Sequence, residues 1–293
     1  MILLTGATGF VGKRLLEKLT KHGRVRCLVR DNDKAEELRK KGHETTVWEL
    51  GKGMPAQDAL KGIAVVVHAA AQMRGTKKDY KLVNVEGTKR LLEACRKENT
   101  KQIIFLSSIL AADCYNNEYG KSKRECERLI RESGIAYTIL RIGNIYANDD
   151  LRTLAKIVGI VRKMPLLFVF GKGDVNMQFV NADDVTNAIT AAVGNKKAEN
   201  KTYYLVGEPM GYKDFFRTIA GRLNRKRLII HIPITLARLA FSIYQRTIGN
   251  YIKLPVHPDT LLISNMFNTT EAEKDLGFNK SKTETMLQLV KPD

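Results

Sequence analysis

The stretch Thr5-Gly6-Ala7-Thr8-Gly9-Phe10-Val11-Gly12 follows the apolar run Ile2-Leu3-Leu4 and leads into Val11–Leu19, where apolar residues recur at helical spacing. A strand, a glycine-rich turn and a helix therefore succeed one another within the first nineteen residues. The three glycines have different physical tasks. Gly6 permits the tight turn, Gly9 lets the backbone approach a pyrophosphate, and Gly12 lets the helix lie close to the sheet. The helix start offers unbonded N–H groups and positive partial charge to phosphates, with Thr8, Phe10 and Val11 beside them. An ordinary glycine-rich turn is the plain alternative. The agreement of strand, helix and position favours a dinucleotide site.

Outward from this turn the chain alternates regularly. Strands are expected at Val25–Val29, Thr45–Trp48, Ile63–Val67, Gln102–Leu106 and Tyr137–Leu140, and helices at Lys34–Lys41, Asp79–Glu98 and Tyr119–Glu132. Short apolar runs alternating with helices imply crossover units and a parallel sheet covered on both faces. The expected fold is α/β, a Rossmann-type doubly wound parallel sheet with a smaller, mostly helical C-terminal substrate lobe. Residues 1–148, with 179–195 returning to them, are assigned to the nucleotide-binding domain. Residues 149–178 and 196–293 are assigned to the substrate lobe. Ligands of open parallel sheets lie outside the carboxyl ends of the strands, so the site is sought there.

The second strand, Val25–Val29, is followed by Arg30, where an acidic side chain would bind the ribose 2′-OH of NAD. An arginine suits the 2′-phosphate of NADP, so NADP(H) is favoured. Asp31 comes one residue later and keeps NAD(H) open. Glu49, with Leu50, closes the third strand and could accept from the adenine amino group, or simply be an exposed carboxylate. Ala69, Ala70 and Ala71 follow the fourth strand, where small side chains let a cofactor lie against the backbone or serve core packing.

Tyr119 and Lys123 are four residues apart on an expected helix and share a face. A cation beside a phenol lowers its pKa from about 10 and makes it a usable acid/base. With ten tyrosines in a Lys-rich chain, one such pair arises by chance. Position adds weight: the helix follows a fifth strand ending in Ser107-Ser108. A serine hydroxyl there can bond a substrate oxygen near Tyr119, or merely cap a turn.

With these residues in place, the chain resembles an extended or closely related atypical short-chain dehydrogenase/reductase of the NAD-dependent epimerase/dehydratase group. The ordered series TGATGFVG at the start, VVHAAA at 65–71, NVEGTKRLLEAC at 84–95, FLSS at 105–108, YGKSK at 119–123, LRIGNIYA at 140–147, FVNADDV at 179–185 and EAEKDLGF at 271–278 carries the resemblance. It implies Tyr119 as acid/base, Lys123 as the residue that lowers its pKa and holds the nicotinamide ribose, and Ser108 as the group orienting the substrate oxygen, with Ser107 next. It implies Asn84 and Ile142 (with Gly143) near the cofactor, Asn144 on the substrate, and a structural Asp184. A homodimer is also implied, through the two long helices. The segment between Ser108 and Tyr119 lacks the usual VYG, Ala147 replaces a common Gly and Glu49 a common Asp.

The formal net charge of +18 is dispersed and reads first as a Lys-rich solvated surface. No aromatic-basic interleaving supports nucleic-acid binding. Cys27, Cys95, Cys114 and Cys126 are scattered without metal-ligand spacing, so no metal is expected and a reducing, cytoplasmic setting fits. The apolar start breaks at Gly6 and reads as a buried strand rather than a signal peptide. Ile229–Gly249 is apolar at helical spacing beside Arg225-Lys226-Arg227, which permits a peripheral membrane contact, although packing on its own domain is favoured.

The resulting expectation is an NAD(P)-dependent oxidoreductase or epimerase acting on a secondary alcohol or ketone carbon. A nucleotide sugar is the preferred substrate, on Asn144, YGKSK and the Gly171–Asp174 stretch. One alternative is an NADPH-dependent ketoreductase of an apolar steroid-, flavonoid- or isoprenoid-like substrate. The other is a non-catalytic NADP-bound sensor or assembly subunit, against which the intact Tyr119 and Lys123 argue.

Overall fold

The structure, a computed structural model, describes residues 1–56, 58–148, 152–173, 175–247, 262–263 and 266–291. Asp174 and the last two residues of the Ile229–Gly249 stretch lie outside them. In chain order the elements are β1 (Ile2–Thr5), α1 (Phe10–Leu19), β2 (Val25–Val29), α2 (Asn32–Lys40), β3 (Glu44–Val47) and β4 (Val65–His68). Then come α3 (Lys77–Asp79, a π-helical stretch Tyr80–Glu86, and Gly87–Lys97), β5 (Gln102–Ser108), α4 (Glu118–Arg131), β6 (Ala136–Ile142) and β7 (Asn144–Tyr146). They are followed by α5 (Arg152–Lys163), β8 (Leu166–Phe170), β9 (Asn176–Asn181), α6 (Ala182–Ala192), β10 (Lys201–Leu205) and β11 (Pro209–Gly211). The last are α7 (Tyr212–Arg222), β12 (Leu228–Ile232), α8 (Ile234–Thr247), α9 (Thr270–Leu276) and α10 (Thr283–Leu287).

Two compact units divide these elements. The first holds Met1–Ile142, Ala182–Leu205 and Thr269–Asn279. Its seven strands run in the order β10-β6-β5-β4-β1-β2-β3, and every neighbouring pair is parallel. This is a doubly wound Rossmann-type sheet, and its strand order reverses between β1 and β4. The central strands are apolar on both faces because helices cover both: Leu3, Leu4, Val66, Val67, Ile103 and Ile104 are all buried. Leu3, Phe105, Leu91 and Ile139 share one core cluster with Trp48 and Leu50. Strand β5 runs to Ser108, beyond the apolar stretch, because its ladder with β6 continues through Ser107↔Arg141 and Ser108↔Ile142. Apolarity alone marks only the part of a strand that is packed, whereas backbone pairing carries on to the polar residues at its end.

The second unit holds Gly143–Asn181, Val206–Asn268 and Lys280–Asp293. Alongside its helices it has a three-stranded sheet, β11-β9-β7, and the parallel pair β12-β8. Leu154, Ile157 and Val161 of α5 pack with Phe215, Phe216 and Ile219 of α7 and with Met286, Leu287 and Val290 near the C-terminus. Phe179 is stacked on Phe215 at 5.2 Å in this core. Asp184, at the start of α6 in the first unit, accepts from Asn279 Nδ2 at 3.5 Å.

One buried charge network ties β5, β6, α4 and β10 together. Glu127 has a fully buried side chain. It accepts two bonds from Arg141, at 3.0 and 2.7 Å, one from Ser107 Oγ at 2.6 Å and one from Arg131 at 3.1 Å. Arg141 in turn donates to Tyr204 Oη at 2.7 Å. Burial alone would raise the Glu127 pKa, but the bonds from Arg141 and Ser107 and the arginine charges outweigh it and hold the carboxyl below its usual 4.5. Removing the carboxylate leaves Arg141 buried without its main partner. Glu127→Ala is therefore expected to cost about 3–5 kcal/mol in denaturant unfolding. Because the folded pKa is depressed, this stabilisation is complete above the unfolded value and is lost as pH falls through the folded one. The stability gap between parent and variant should thus narrow only on acidification below the ordinary glutamate range.

Candidate active site

The β1–α1 turn is held in a shape that only glycine tolerates. Gly6 has φ +75°, and a side-chain carbon there would lie 2.8 Å from the Ala70 backbone nitrogen. At Gly12 it would fall 1.9 Å from the Gly6 carbonyl oxygen. The α1 helix starts after Gly9 with no side-chain cap and no acidic residue in its first turn. Its N-terminal amides and positive partial charge are thus not neutralised locally. Thr8 and Gly9 are exposed, Phe10 and Val11 half-buried. Ala69, Ala70 and Ala71, also half-buried, follow the adjoining strand β4. A glycine cradle at a helix start without a side-chain cap, beside small side chains, fits the pyrophosphate of a dinucleotide.

Three polar side chains fix the β4 end of this cradle. Thr5 Oγ1 accepts from the Ala70 amide at 3.0 Å and lies 2.8 Å from His68 Nδ1. His68 Nε2 is 3.0 Å from Thr88 Oγ1 on α3. Burial, with help from the Lys123 charge, pushes the His68 pKa down to about 3, so this imidazole is a neutral strut at ordinary pH. Asn84 sits in the π-helical stretch of α3, and its amide is fully used. Its Oδ1 accepts from the Gln72 amide at 2.7 Å, and its Nδ2 donates to the Gln72 carbonyl at 3.1 Å and to Ser122 Oγ at 3.0 Å. Asn84 therefore anchors the segment after the alanines to α4.

Tyr119 and Lys123 share one face of α4, whose N-terminus is capped by Asn117 accepting from the Gly120 amide at 2.7 Å. A side-chain carbon on Gly120 would be 2.0 Å from the Leu110 carbonyl oxygen, so α4 starts tight against the segment leaving β5. Lys123 is buried, with Nζ over the Phe105 ring at 4.1 Å from its centroid. Burial lowers its pKa to about 8. Tyr119 is half-buried, and the ring of Tyr80 meets it edge-on at 5.8 Å. Burial, with Tyr80 and Cys126 adding, pushes the Tyr119 phenol up rather than down. The sequence expectation was a phenol lowered by Lys123. In the folded chain burial acts on both groups and disfavours the charged form of each.

The serine pair divides by strand alternation. Ser107 points inward and donates to Glu127. Ser108 is half-buried, and its Oγ accepts from the Leu110 amide at 3.2 Å, capping a short 3-10 turn over Ile109–Ala111. That bond does not use the hydroxyl proton of Ser108.

At the end of β2 the Arg30 side chain is 81% exposed, with Nε 3.5 Å from Asp31. Asp31 is the N-cap of α2 and accepts from the Lys34 amide at 2.9 Å. Glu49 is paired with Lys52 at 3.0 Å. Leu50 is a core residue packed close to Gly87. Ile142 is buried at the end of β6, and Asn144 lies in the second unit, half-buried at the start of β7. Thr5, His68, Thr88, Tyr80 and Glu127 were not singled out by sequence reasoning. The four-residue spacings Asn84–Thr88 and Lys123–Glu127 carried a signal for two of them. Tyr80 carried none, because its meeting with Tyr119 is tertiary.

The model of the NAD dependent epimerase/dehydratase family matches residues 2–207. The chain is 31% identical over 242 residues to the photosystem II assembly factor Ycf39 of Cyanophora paradoxa, which covers 82% of this chain and 74% of that protein. It is 26% identical to the N-acetyl-alpha-D-glucosaminyl-diphospho-ditrans,octacis-undecaprenol 4-epimerase of Escherichia coli O157:H7, over 94% of this chain and 89% of that one. The crystal structure of the Escherichia coli NADPH-dependent quinone oxidoreductase QOR2, complexed with NADPH, superposes with a TM-score of 0.78 at 18% identity, over 98% of this chain and 99% of that one.

Two glycine variants separate folding from binding at the cradle. Gly12→Ala forces backbone against backbone and should lower stability by about 1–3 kcal/mol in denaturant melts. Gly9→Ala meets only the Gly6 carbonyl oxygen, at 3.2 Å, and should cost less stability. Both should weaken dinucleotide binding in a nicotinamide fluorescence titration.

Proposed function

The chain belongs to the NAD dependent epimerase/dehydratase family, and from that footing we propose that it exchanges a hydride with a secondary alcohol or ketone carbon, using Ser108, Tyr119 and Lys123. The bound nicotinamide dinucleotide supplies the hydride donor or acceptor. The observation that supports the reading is the presence of three features in one unit: the glycine cradle at the β1–α1 turn, Ser108 at the end of β5, and Tyr119 with Lys123 on the first turns of α4. Ser108 keeps a hydroxyl proton with which to orient a substrate oxygen. Tyr119 exchanges the proton at that oxygen. In this reading Lys123, whose Nζ lies over the Phe105 ring, supplies positive charge to the ribose and the phenol.

The substrate we favour is a nucleotide sugar, in line with Asn144. The 26% identical Escherichia coli relative is named for a sugar carried on a diphosphate that is joined to undecaprenol, which supports the sugar-diphosphate part of this reading and not the nucleotide. Ketone reduction with NADPH is the second reading, and two observations favour it. Asp31 is engaged as a helix cap while the Arg30 guanidinium is exposed, an arrangement suited to a 2′-phosphate. A phenol whose pKa is raised stays protonated and is ready to donate to a ketone oxygen. The buried cysteines Cys27, Cys95 and Cys126 and the exposed Cys114, all unbridged among the described residues, suit a cytoplasmic setting.

Titration with NADPH and NADH should show tighter binding of NADPH. Arg30→Ala should weaken NADPH by about tenfold or more, the worth of a charged hydrogen bond, and leave NADH unchanged. Preference for NADH, untouched by the substitution, would remove the 2′-phosphate role.

Tyr119→Phe should lower turnover by roughly 100-fold or more while cofactor binding persists. An unchanged rate would sink the proposed acid/base. With Lys123 needed in its charged form and its pKa at about 8, kcat/KM should fall as pH rises through that value. Lys123→Arg should remove this alkaline limb.

A further inference from the structure

Helix α8 is apolar on two sides. Ala237 is buried and Phe241 packs on the core, meeting Phe170 at 5.2 Å. On an adjoining arc, at helical spacing, lie Leu236, Leu239, Ala240 and Ile243, and the three large ones are 56, 59 and 54% exposed. A helix that packs one apolar face on its own unit normally turns a polar face to water. The pair β8–β12 behaves alike. Its register sets Leu166 beside Leu228 and Phe168 beside Ile230 on one face. Leu166, Phe168 and Leu228 on that face are exposed. Phe170, on the same face, is the residue that α8 covers through Phe241.

The stretches of sequence that form these surfaces carry charges of one sign. No Asp or Glu occurs between Phe215 and Thr247, nor between Arg152 and Gly173. Lys163 precedes β8 and Arg225-Lys226-Arg227 precede β12. The two basic ends lie side by side, since the Leu228 amide donates to the Pro165 carbonyl at 3.2 Å and Arg227 donates to the Val161 and Arg162 carbonyls at 2.7 and 2.8 Å.

From this we infer that the second unit docks on an anionic lipid surface, with the outer face of α8 and the exposed end of β8–β12 entering the headgroup–acyl boundary and the basic rim facing the lipid phosphates. Exposed leucines on a stretch of sequence without Asp or Glu match an interfacial helix. A second copy is a poor occupant, because a two-fold contact through this face would set cations against cations. Among the described residues no helix is long and apolar enough to cross a membrane, so the contact is peripheral. The inference does not depend on the reaction proposed above.

The test is co-sedimentation of the full chain with phosphatidylcholine vesicles, with and without phosphatidylglycerol. Pelleting is expected with the anionic vesicles and should weaken with salt. Lys163→Ala and Lys226→Ala should each weaken it by about fivefold. The double substitution Leu239→Ser and Ile243→Ser, at exposed sites that leave the melting temperature unchanged, should weaken it by about tenfold or more. Protein that stays in the supernatant with both vesicle types overturns the inference. So does pelleting that none of these substitutions reduces. Sedimentation velocity showing a dimer that Leu239→Ser dissociates, without vesicle binding, would assign the face to a second copy.

Discussion

The candidate site depends first on how closely two pieces of backbone approach. Helix α1 starts so near the end of β1 that a single carbon on Gly12 would overlap the Gly6 carbonyl oxygen. That approach directs the uncapped amides of α1 toward the carboxyl end of the sheet, where the strand order reverses. Gly6 also lies close against Ala70, where a side-chain carbon would come within 2.8 Å of the backbone nitrogen, so the β1 and β4 ends form one surface. A side chain at either glycine would separate helix from sheet and remove the phosphate cradle before any ligand contact was involved.

Polar groups buried behind this surface explain why it is rigid. Thr5, His68 and Thr88 link β1, β4 and α3, and Asn84 links α3 to α4 through Ser122. Each of these bonds would be weak in water, but in the interior an unmade one is costly, so the network selects one arrangement. Glu127 plays the same part on the far side. It satisfies Arg141, Arg131 and Ser107 together, one helical turn from Lys123. Ser107 and Ser108, neighbours in sequence, thereby take different partners: Ser107 bonds Glu127, and Ser108 caps the turn that leaves β5.

Burial also sets the protonation of the reactive groups. Tyr119 is held as a phenol, and Lys123 has its pKa brought down to about 8. Neither group keeps its ordinary pKa: the Tyr119 phenol is pushed up, and Lys123, held over the Phe105 ring, loses its proton at mildly alkaline pH.

The local sequence by itself determined the parallel α/β framework, because alternating apolar strands and helices have few ways to bury both faces of a sheet. It also determined the glycine turn, whose spacing has a steric reason that can be read residue by residue. Tyr119 and Lys123 were legible from their four-residue interval and from the strand ending in two serines. Tertiary structure alone decided that Ser107 is bonded to a buried carboxylate, since that follows from the β5–β6 register and from Glu127 on a helix twenty residues later. It alone decided that Asp31 is spent on capping α2 while Arg30 is exposed. It alone raised the phenol that a bare Tyr–Lys pairing would have lowered. The reason is common to all three: spacing fixes which residues share a face, but burial and hydrogen-bond partners come from chain segments far away in sequence.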